Sequence, residues 1–567
     1  MLRRLYRHVC VRPSGIGFMF ASEASGTTGR AAASAFDGAP QADPILFDVP
    51  MVARVIGREA EIMHLWQGLL AGRRRQVITG PDGIGKSTVA AEFCSRARRS
   101  GRFTCIHWFD WCDSVQSRIA QFFRSMKGRK EKDVLLVVDG VVDLKLALQT
   151  LPDHPSVYVL LTTPADASSD SKVSVLKTLP LTVGATEQFS QVVTLEGVAS
   201  AHVDVLHAVG RVPLLMHVAC SLMEHGAITP EALQRELVSK GVGAEDTISV
   251  SHVLRVLLDV ALKALELDWP GGTKQLQKLA LLDIHGIHYS IVDSIVGDGR
   301  GEKFAMLLSS LGVCGQRWEE PSLFVHSCVA QVLRHDVESG DLAQCAEVLL
   351  SLWPRRWRSV GSGTAYELVR HTAQLLSCFD ARGLPLSDGL LLGLDRCATF
   401  LAHSEGKDLK EAAEFWMRVV SEHQKEGECT AEAVRVGREC GRLLHFLRDK
   451  RAADVLRYTY DLAVTVHGKQ SPEAALILGC YAPYLSPSRE SVQLLGEAAT
   501  VLKTRVGCSE AALGREEEHM VLETVFVLLM CQGQILQELG EVVPESLWDA
   551  LQGVEEVMRR SNHRGVR

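Results

Sequence analysis

The stretch from Val77 to Ala90, "VITGPDGIGKSTVA", constrains this chain more than any other. It fills the pattern G-x-x-x-x-G-K-[ST] with Gly80, Gly85, Lys86 and Ser87. An apolar strand, Gln76 to Thr79, precedes it, and a helical pattern, Ser87 to Arg99, follows. In that setting glycines let backbone N–H groups close round phosphates, and the helix N-terminus adds partial positive charge. Asp82, Gly83, Ile84 and Thr88 complete the candidate phosphate-binding stretch. Lys86 is expected to reach the outer phosphates of a nucleotide, and the Ser87 hydroxyl to ligate Mg²⁺.

The strands that follow extend the pattern. "FTCIHWFDW" reads as a second strand, with a helical stretch from Ser114 to Met126 after it. A continuous apolar run, Val134 to Val138, then ends in Asp139. Buried parallel strands read this way, and groups facing a ligand sit at their carboxyl ends. Asp139 is therefore the candidate acid that holds Mg²⁺ through its water shell. A further run, "SVYVLLTT", ends in Thr162 and Thr163, where a polar residue can sense a γ-phosphate. Alternating strands and helices give a parallel, three-layer α/β sheet. Fast ATPases of this kind place a second acid after the first to activate water; here Gly140 stands there, and Asp143 lies a turn too far on. Binding is better supported than hydrolysis.

At 567 residues the chain is too long for one core, so two to four domains are expected. A net charge of -7 argues against a dedicated nucleic-acid binder, which needs a basic surface. The 15 cysteines are scattered, with no C-x-x-C and no Cys/His cluster at zinc spacing, which suits a reducing compartment and offers no metal site. No uninterrupted apolar run approaches membrane-spanning length; "VFVLLM" is too short. The start differs: Arg3, Arg4, Arg7 and Arg12 precede the first acid, Glu23, and Leu2, Leu5, Tyr6 and Val9 would share a helical face. This resembles a mitochondrial presequence, which implies the matrix; a disordered basic tail on a cytoplasmic protein is the alternative. An Ala/Ser/Gly-rich linker runs on to Pro40.

The second half is almost all amphipathic helix. "GECTAEA" starts at Gly427, "GKQSPEA" at Gly468 and "GCSEAA" at Gly507, spaced 468 − 427 = 41 and 507 − 468 = 39. Each glycine should close one helix and each Ser or Thr open the next. A period near forty marks a repeated helix pair of the longer tetratricopeptide (TPR) type, or alternatively an irregular bundle. Stacked pairs leave a concave surface suited to a protein partner. Trp353, Trp357 and Leu368, in the helices leading into the repeats, read as core.

Six segments in order resemble one family: "VIGREAEI", the P-loop, "VLLVVDGV", "VLLTTPA", "GRVPLLMHVAC" and "FVHSCVAQVLR". The order is similar to the NB-ARC branch of the STAND nucleotide switches, above all to members with C-terminal TPR repeats. The likeness covers roughly Pro44 to His335. After the basic presequence or disordered linker read over 1–43, it implies a nucleotide-binding domain over 44–197 and a helical subdomain over 198–250. A winged helix over 251–337 and repeats over 338–567 complete the expected order. It also implies that Gly57 and Arg58 line the base and ribose, that Pro213, followed by Leu214, packs on adenine, and that His326 contacts the β-phosphate of ADP. The family's sensor arginine is Pro164 here, and the aspartate after the motif histidine is Ser327. With Gly140, these departures weaken the parts that discriminate or cleave ATP and leave the cradle for the inner phosphates.

Three functions compete on these residues. One is a switch holding ATP or ADP with Mg²⁺, coupled to partner binding or self-association through the repeats. The second is a scaffold with a structural nucleotide domain. The third is an AAA+-like ATPase, which Gly140 disfavours. At most a slow ATPase is expected.

Overall fold

The computed structural model of the chain describes residues 45–47, 55–111, 119, 122, 133–151, 154–165, 173–193, 200–242, 249–284, 286–297, 299–317, 321–353, 362–404, 408–507 and 515–563. The presequence and linker expectations, most of the helix expected over 114–126, and Trp357 lie outside these residues. Among the described residues the chain forms two compact units, 45–393 and 394–563.

The first unit opens with an α/β layer. Its strands are β1 (Ile45–Phe47), β2 (Arg75–Thr79), β3 (Cys105–Asp110), β4 (Val134–Asp139), β5 (Val157–Thr163) and β6 (Ser174–Lys177). They form one sheet in the order β1-β3-β4-β5-β2-β6, parallel throughout. Helices α1 (Glu59–Leu70), α2 (Lys86–Arg99) and α3 (Leu144–Thr150) connect the strands. Strand β4 explains its own apolar run: Leu135 and Val137 enter one core with Trp66, Phe93 and Trp108, while Leu136 and Val138 enter the other with Phe109, Phe122 and Ala147. A strand buried on both faces needs no alternation. The sheet thus has helices on both sides, the three-layer arrangement that the sequence implied. Short β1 and β6, at the sheet edges, were not foreseen. Strand β5 separates the P-loop strand from the Asp139 strand, pairing Thr79 with Thr163 on one side and Val138 with Leu161 on the other.

Helices α4 (Val183–Val193), α5 (Ser200–Ala208), α6 (Pro213–Glu224) and α7 (Pro230–Ser239) follow. Pro213 and Pro230 each sit in the first turn of their helix, where a missing N–H costs nothing. Next come α8 (Val250–Asp268), α9 (Gly272–Ala280), β7 (Ile287–His288), α10 (Tyr289–Val296), α11 (Gly301–Ser310), β8 (Cys314–Arg317), β9 (Ser322–Val325) and α12 (Ser327–His335). The three strands make an antiparallel sheet in the order β7-β9-β8, the helices-then-hairpin pattern of a winged helix.

Helices α13 (Ser339–Leu352) and α14 (Ser362–Arg382) belong to this first unit. The sequence reading had counted them with the repeats, yet their polar groups are committed to the winged helix. The Asp283 N–H donates to His371 Nδ1 at 3.1 Å, and the His288 N–H donates to Glu367 at 2.8 Å. Arg382 donates to the Val337 carbonyl at 2.8 Å. Trp353 and Leu368 are buried core residues, as expected.

Helix α15 (Asp388–His403) carries the chain into the second unit, made of α16 (Leu409–Glu426), α17 (Ala431–Leu447), α18 (Ala452–His467), α19 (Pro472–Tyr481), α20 (Arg489–Gly507), α21 (Arg515–Glu538) and α22 (Glu545–His563). Gly427, at φ 66°, closes α16, and the Thr430 hydroxyl caps α17 by accepting from the Ala433 N–H. Gly468, at φ 89°, closes α18, and Ser471 caps α19 through the Ala474 N–H. The recurrence is therefore a stop-and-start device, and successive helices stack on their neighbours as a helical solenoid does. Gly507 ends α20, but the residues of the third start signal lie outside those described. Helices approach closely where side chains are absent: a Cβ on Gly437 would lie 2.4 Å from Thr459 of α18. Among the described residues one segment, Glu518–Glu538 of α21, is long and apolar enough to cross a membrane, with mean hydropathy 1.5; 61% of it is buried in the protein.

Candidate functional site: a phosphate cradle and its covers

Between β2 and α2 the backbone adopts conformations that only glycine holds easily. Gly80, Gly83 and Gly85 have φ of 146°, 77° and 97°, and Gly85 caps α2. Space excludes side chains as well as torsion does: a Cβ on Gly80 would meet the Thr178 carbonyl at 2.9 Å, and one on Gly83 would meet Leu214 at 2.9 Å. Lys86 is buried and folds back over the loop. Its ammonium donates to the Gly80 and Pro81 carbonyls at 2.9 and 3.0 Å and pairs with Asp82 at 3.1 Å. A ligand phosphate must therefore take Lys86 from Asp82.

The end of β4 supplies the second group. The Ser87 hydroxyl donates to Asp139 Oδ1 at 2.9 Å, across 52 residues of chain. Thr162 on β5 also donates to Asp139 Oδ1, and its own oxygen accepts the Gly140 N–H at 2.8 Å. A hydroxyl and a carboxylate in contact at a phosphate cradle are hard oxygen donors that fit Mg²⁺, which is held by few protein groups together with phosphates and water. Among the described residues no group of three or more His, Cys, Asp or Glu could hold a metal ion. Thr163, paired with Thr79 of β2, is also engaged: its hydroxyl oxygen accepts the Ala165 N–H at 3.2 Å.

Arg58 is placed differently from the base-lining role that the resemblance implied. It is buried, and its guanidinium donates to the Ile84 carbonyl at 2.6 Å, the Leu179 carbonyl at 2.8 Å and Glu61 at 2.6 Å. It braces the P-loop from behind. Gly57, at φ 66°, lets the chain pass α4, since a Cβ there would lie 2.4 Å from that of Ala185.

Two further elements reach the same loop. The N-terminus of α6 docks on it: the Leu214 N–H donates to the Gly83 carbonyl at 3.2 Å, and Pro213 lies 4.0 Å from where a Gly85 Cβ would stand. From the winged helix comes His326, which caps α12 by accepting the Cys328 N–H on Nδ1 at 3.2 Å. That bond leaves the proton of the neutral ring on Nε2, the nitrogen free to donate. Burial pulls this imidazole down to about 4, Asp82 raises it, and Lys86 and His217 lower it further. His326 thus feels both charged groups of the P-loop. The structure gathers Gly83, Gly85, Lys86, Asp82, Pro213 and His326 at one place, with Ser87 and Asp139 beside them.

Sequence reasoning missed His217. It lies one turn after Pro213, on the same stripe of α6; surrounding protein lowers its pKa although part of the ring remains exposed. The i, i+4 spacing from Pro213 was the available signal.

No family model matches the chain, and no curated protein matches it. Among solved structures it is similar to a Signal Transduction ATPase with Numerous Domains (STAND) protein with a tetratricopeptide repeat sensor from Pyrococcus horikoshii. The two are 13% identical with a TM-score of 0.44, over 92% of this chain and 82% of the other.

Proposed function

We propose that this chain is a nucleotide-dependent switch that holds ADP or ATP with Mg²⁺ at the P-loop and couples its occupancy to protein–protein association through its C-terminal helices. The observation that carries this reading is the convergence of three elements on one loop. Gly80–Ser87 supply the cradle, the Leu214 N–H of α6 donates to the Gly83 carbonyl at 3.2 Å, and His326, the cap of α12, lies near enough for the charges of Asp82 and Lys86 to shift its titration. A ligand contacting all three favours their closed arrangement, and its loss shifts the population toward an open one. The mitochondrial matrix is our proposed location; a reporter fused to residues 1–43 that stays in the cytosol would refute it.

In this reading the bound metal screens phosphate charge, and the protein's residues bind and orient. Lys86 leaves Asp82 for a phosphate oxygen, the loop N–H groups and the α2 N-terminus hold the inner phosphates, and the Nε2–H of His326 donates to phosphate. No second acid follows Asp139, so turnover is slow. The test is calorimetry of ADP and ATP with the native chain and with Lys86→Ala. Binding should weaken by about ten- to a hundredfold in the variant, because a charge-assisted bond contributes roughly 1.5–3 kcal/mol. Equal affinities for both proteins would overturn the reading. Scattering profiles that are identical with and without nucleotide would leave a nucleotide-bound scaffold instead of a switch.

A further inference from the structure

Thr162 stands at the end of β5, beside the P-loop strand, where the sequence suggests a sensor of the γ-phosphate. Its bonds commit it elsewhere. The side chain is fully buried, and a threonine hydroxyl has one proton to give. That proton goes to Asp139 Oδ1, and the oxygen takes the Gly140 N–H at 2.8 Å. The backbone continues the clasp, since the Val141 N–H donates to the Thr162 carbonyl at 2.8 Å. Thr162 therefore holds the carboxylate and the first two peptides of the turn that follows it. This turn carries Gly140 at φ 74°, with nothing within 4 Å of where a Cβ would stand.

We propose that Thr162 is a positioning residue for the metal, not a phosphate sensor: it fixes the Asp139 carboxylate so that Oδ1 meets the Ser87 hydroxyl. Asp139 has two oxygens. With Oδ1 receiving both Ser87 and Thr162, the rotation of the carboxylate about its Cβ–Cγ bond is set in part from the neighbouring strand β5. Without the Thr162 hydroxyl, only the Ser87 bond at 2.9 Å is left from this pair of donors, and Ser87 is itself the expected metal ligand. A carboxylate that must be turned at the moment of binding holds a hydrated cation less well than one already set. The neighbouring Thr163 makes a different contact: its hydroxyl oxygen accepts the Ala165 N–H at 3.2 Å.

The proposal rests on the nucleotide-binding reading and is tested separately from it. Affinities of ADP and ATP are measured by calorimetry, each with Mg²⁺ and with EDTA, for the native chain, Thr162→Val and Thr162→Ser. Thermal melts check that the variants fold. In Mg²⁺, Thr162→Val should weaken ADP and ATP by the same factor, on the order of tenfold. In EDTA it should match the native chain, and Thr162→Ser should behave as native in both. A loss confined to ATP would overturn the proposal in favour of a phosphate sensor. An equal loss in Mg²⁺ and EDTA would overturn it in favour of a purely structural role. No loss in Mg²⁺, or a native affinity indifferent to Mg²⁺, would also overturn it while leaving the P-loop reading intact. Failure of the native chain to bind either nucleotide would instead sink the reading beneath it.

Discussion

Lys86 and Asp82 form a charge pair inside the P-loop that, in the proposed function, competes with the ligand. The pair is partly exposed, Lys86 at 8% and Asp82 at 49%, and such pairs contribute at most about 1 kcal/mol. In the proposed function, nucleotide must displace it. Asp82→Ala should therefore tighten ADP by about two- to fivefold in calorimetry, the free-energy equivalent of that contribution. His326 makes a prediction about pH. Its folded pKa is about 4 and its ordinary value 6.5, so between these values the unfolded chain binds the extra proton. Stability is fully present above pH 6.5 and falls as the pH drops toward 4, by roughly 1–3 kcal/mol. His326→Asn keeps an acceptor for the Cys328 N–H and should flatten that slope in denaturant melts across the window. The glycines and Lys86 were legible because the backbone of a phosphate loop demands them in order. Thr162 was legible as a polar strand end but not in its role, because the direction of a hydroxyl depends on a neighbour 23 residues away. Arg58 was assigned to the ligand for the same reason; the carbonyl of Ile84, its buried partner, leaves no trace in side-chain identity.

Elements declared themselves in proportion to how completely they are buried. Strand β4 has five consecutive buried apolar residues and was visible at once. Strands β1 and β6 have three and four residues, too few for any periodicity to accumulate. The repeat boundaries were visible because helix ends use chemistry that survives in sequence: Gly427 and Gly468 in positive φ, then Thr430 and Ser471 as caps. Arg448 closes α17 with φ 57°, a conformation that disfavours a side chain. The close passage of Gly57 against α4 yields a sharper prediction. Gly57→Ala combines a strained φ with a 2.4 Å approach to Ala185 and should destabilise the first unit by about 1–3 kcal/mol, read from its melting temperature.

At the scale of the molecule, two compact units imply two foldable parts. The second unit buries its own cluster, with Leu495, Leu502, Val521, Val525 and Leu528 at its centre. Helix α15 belongs to any fragment that contains it, because Asp395 accepts from Trp416 at 2.8 Å and pairs with Arg435 at 2.6 Å. A fragment of residues 388–567 should therefore be helical and melt cooperatively, as circular dichroism will show; a broad, uncooperative melt would refute it. Helices α13 and α14 belong to the first compact unit although they have the same amphipathic pattern as the repeats. Bonds to the winged helix mark them, α14 through Glu367, His371 and Arg382 and α13 through the Asp341–Lys278 pair. The docking of α6 on the P-loop has one more consequence. The Leu214 amide lies in the first turn of its helix, where no carbonyl within the helix can take it. Its partner is the Gly83 carbonyl of the nucleotide loop. Should α6 lift away, that single amide loses its protection while those deeper in α6 keep theirs. Its deuterium uptake is then a gauge, built into the backbone and needing no label, of how often the cradle stands uncovered.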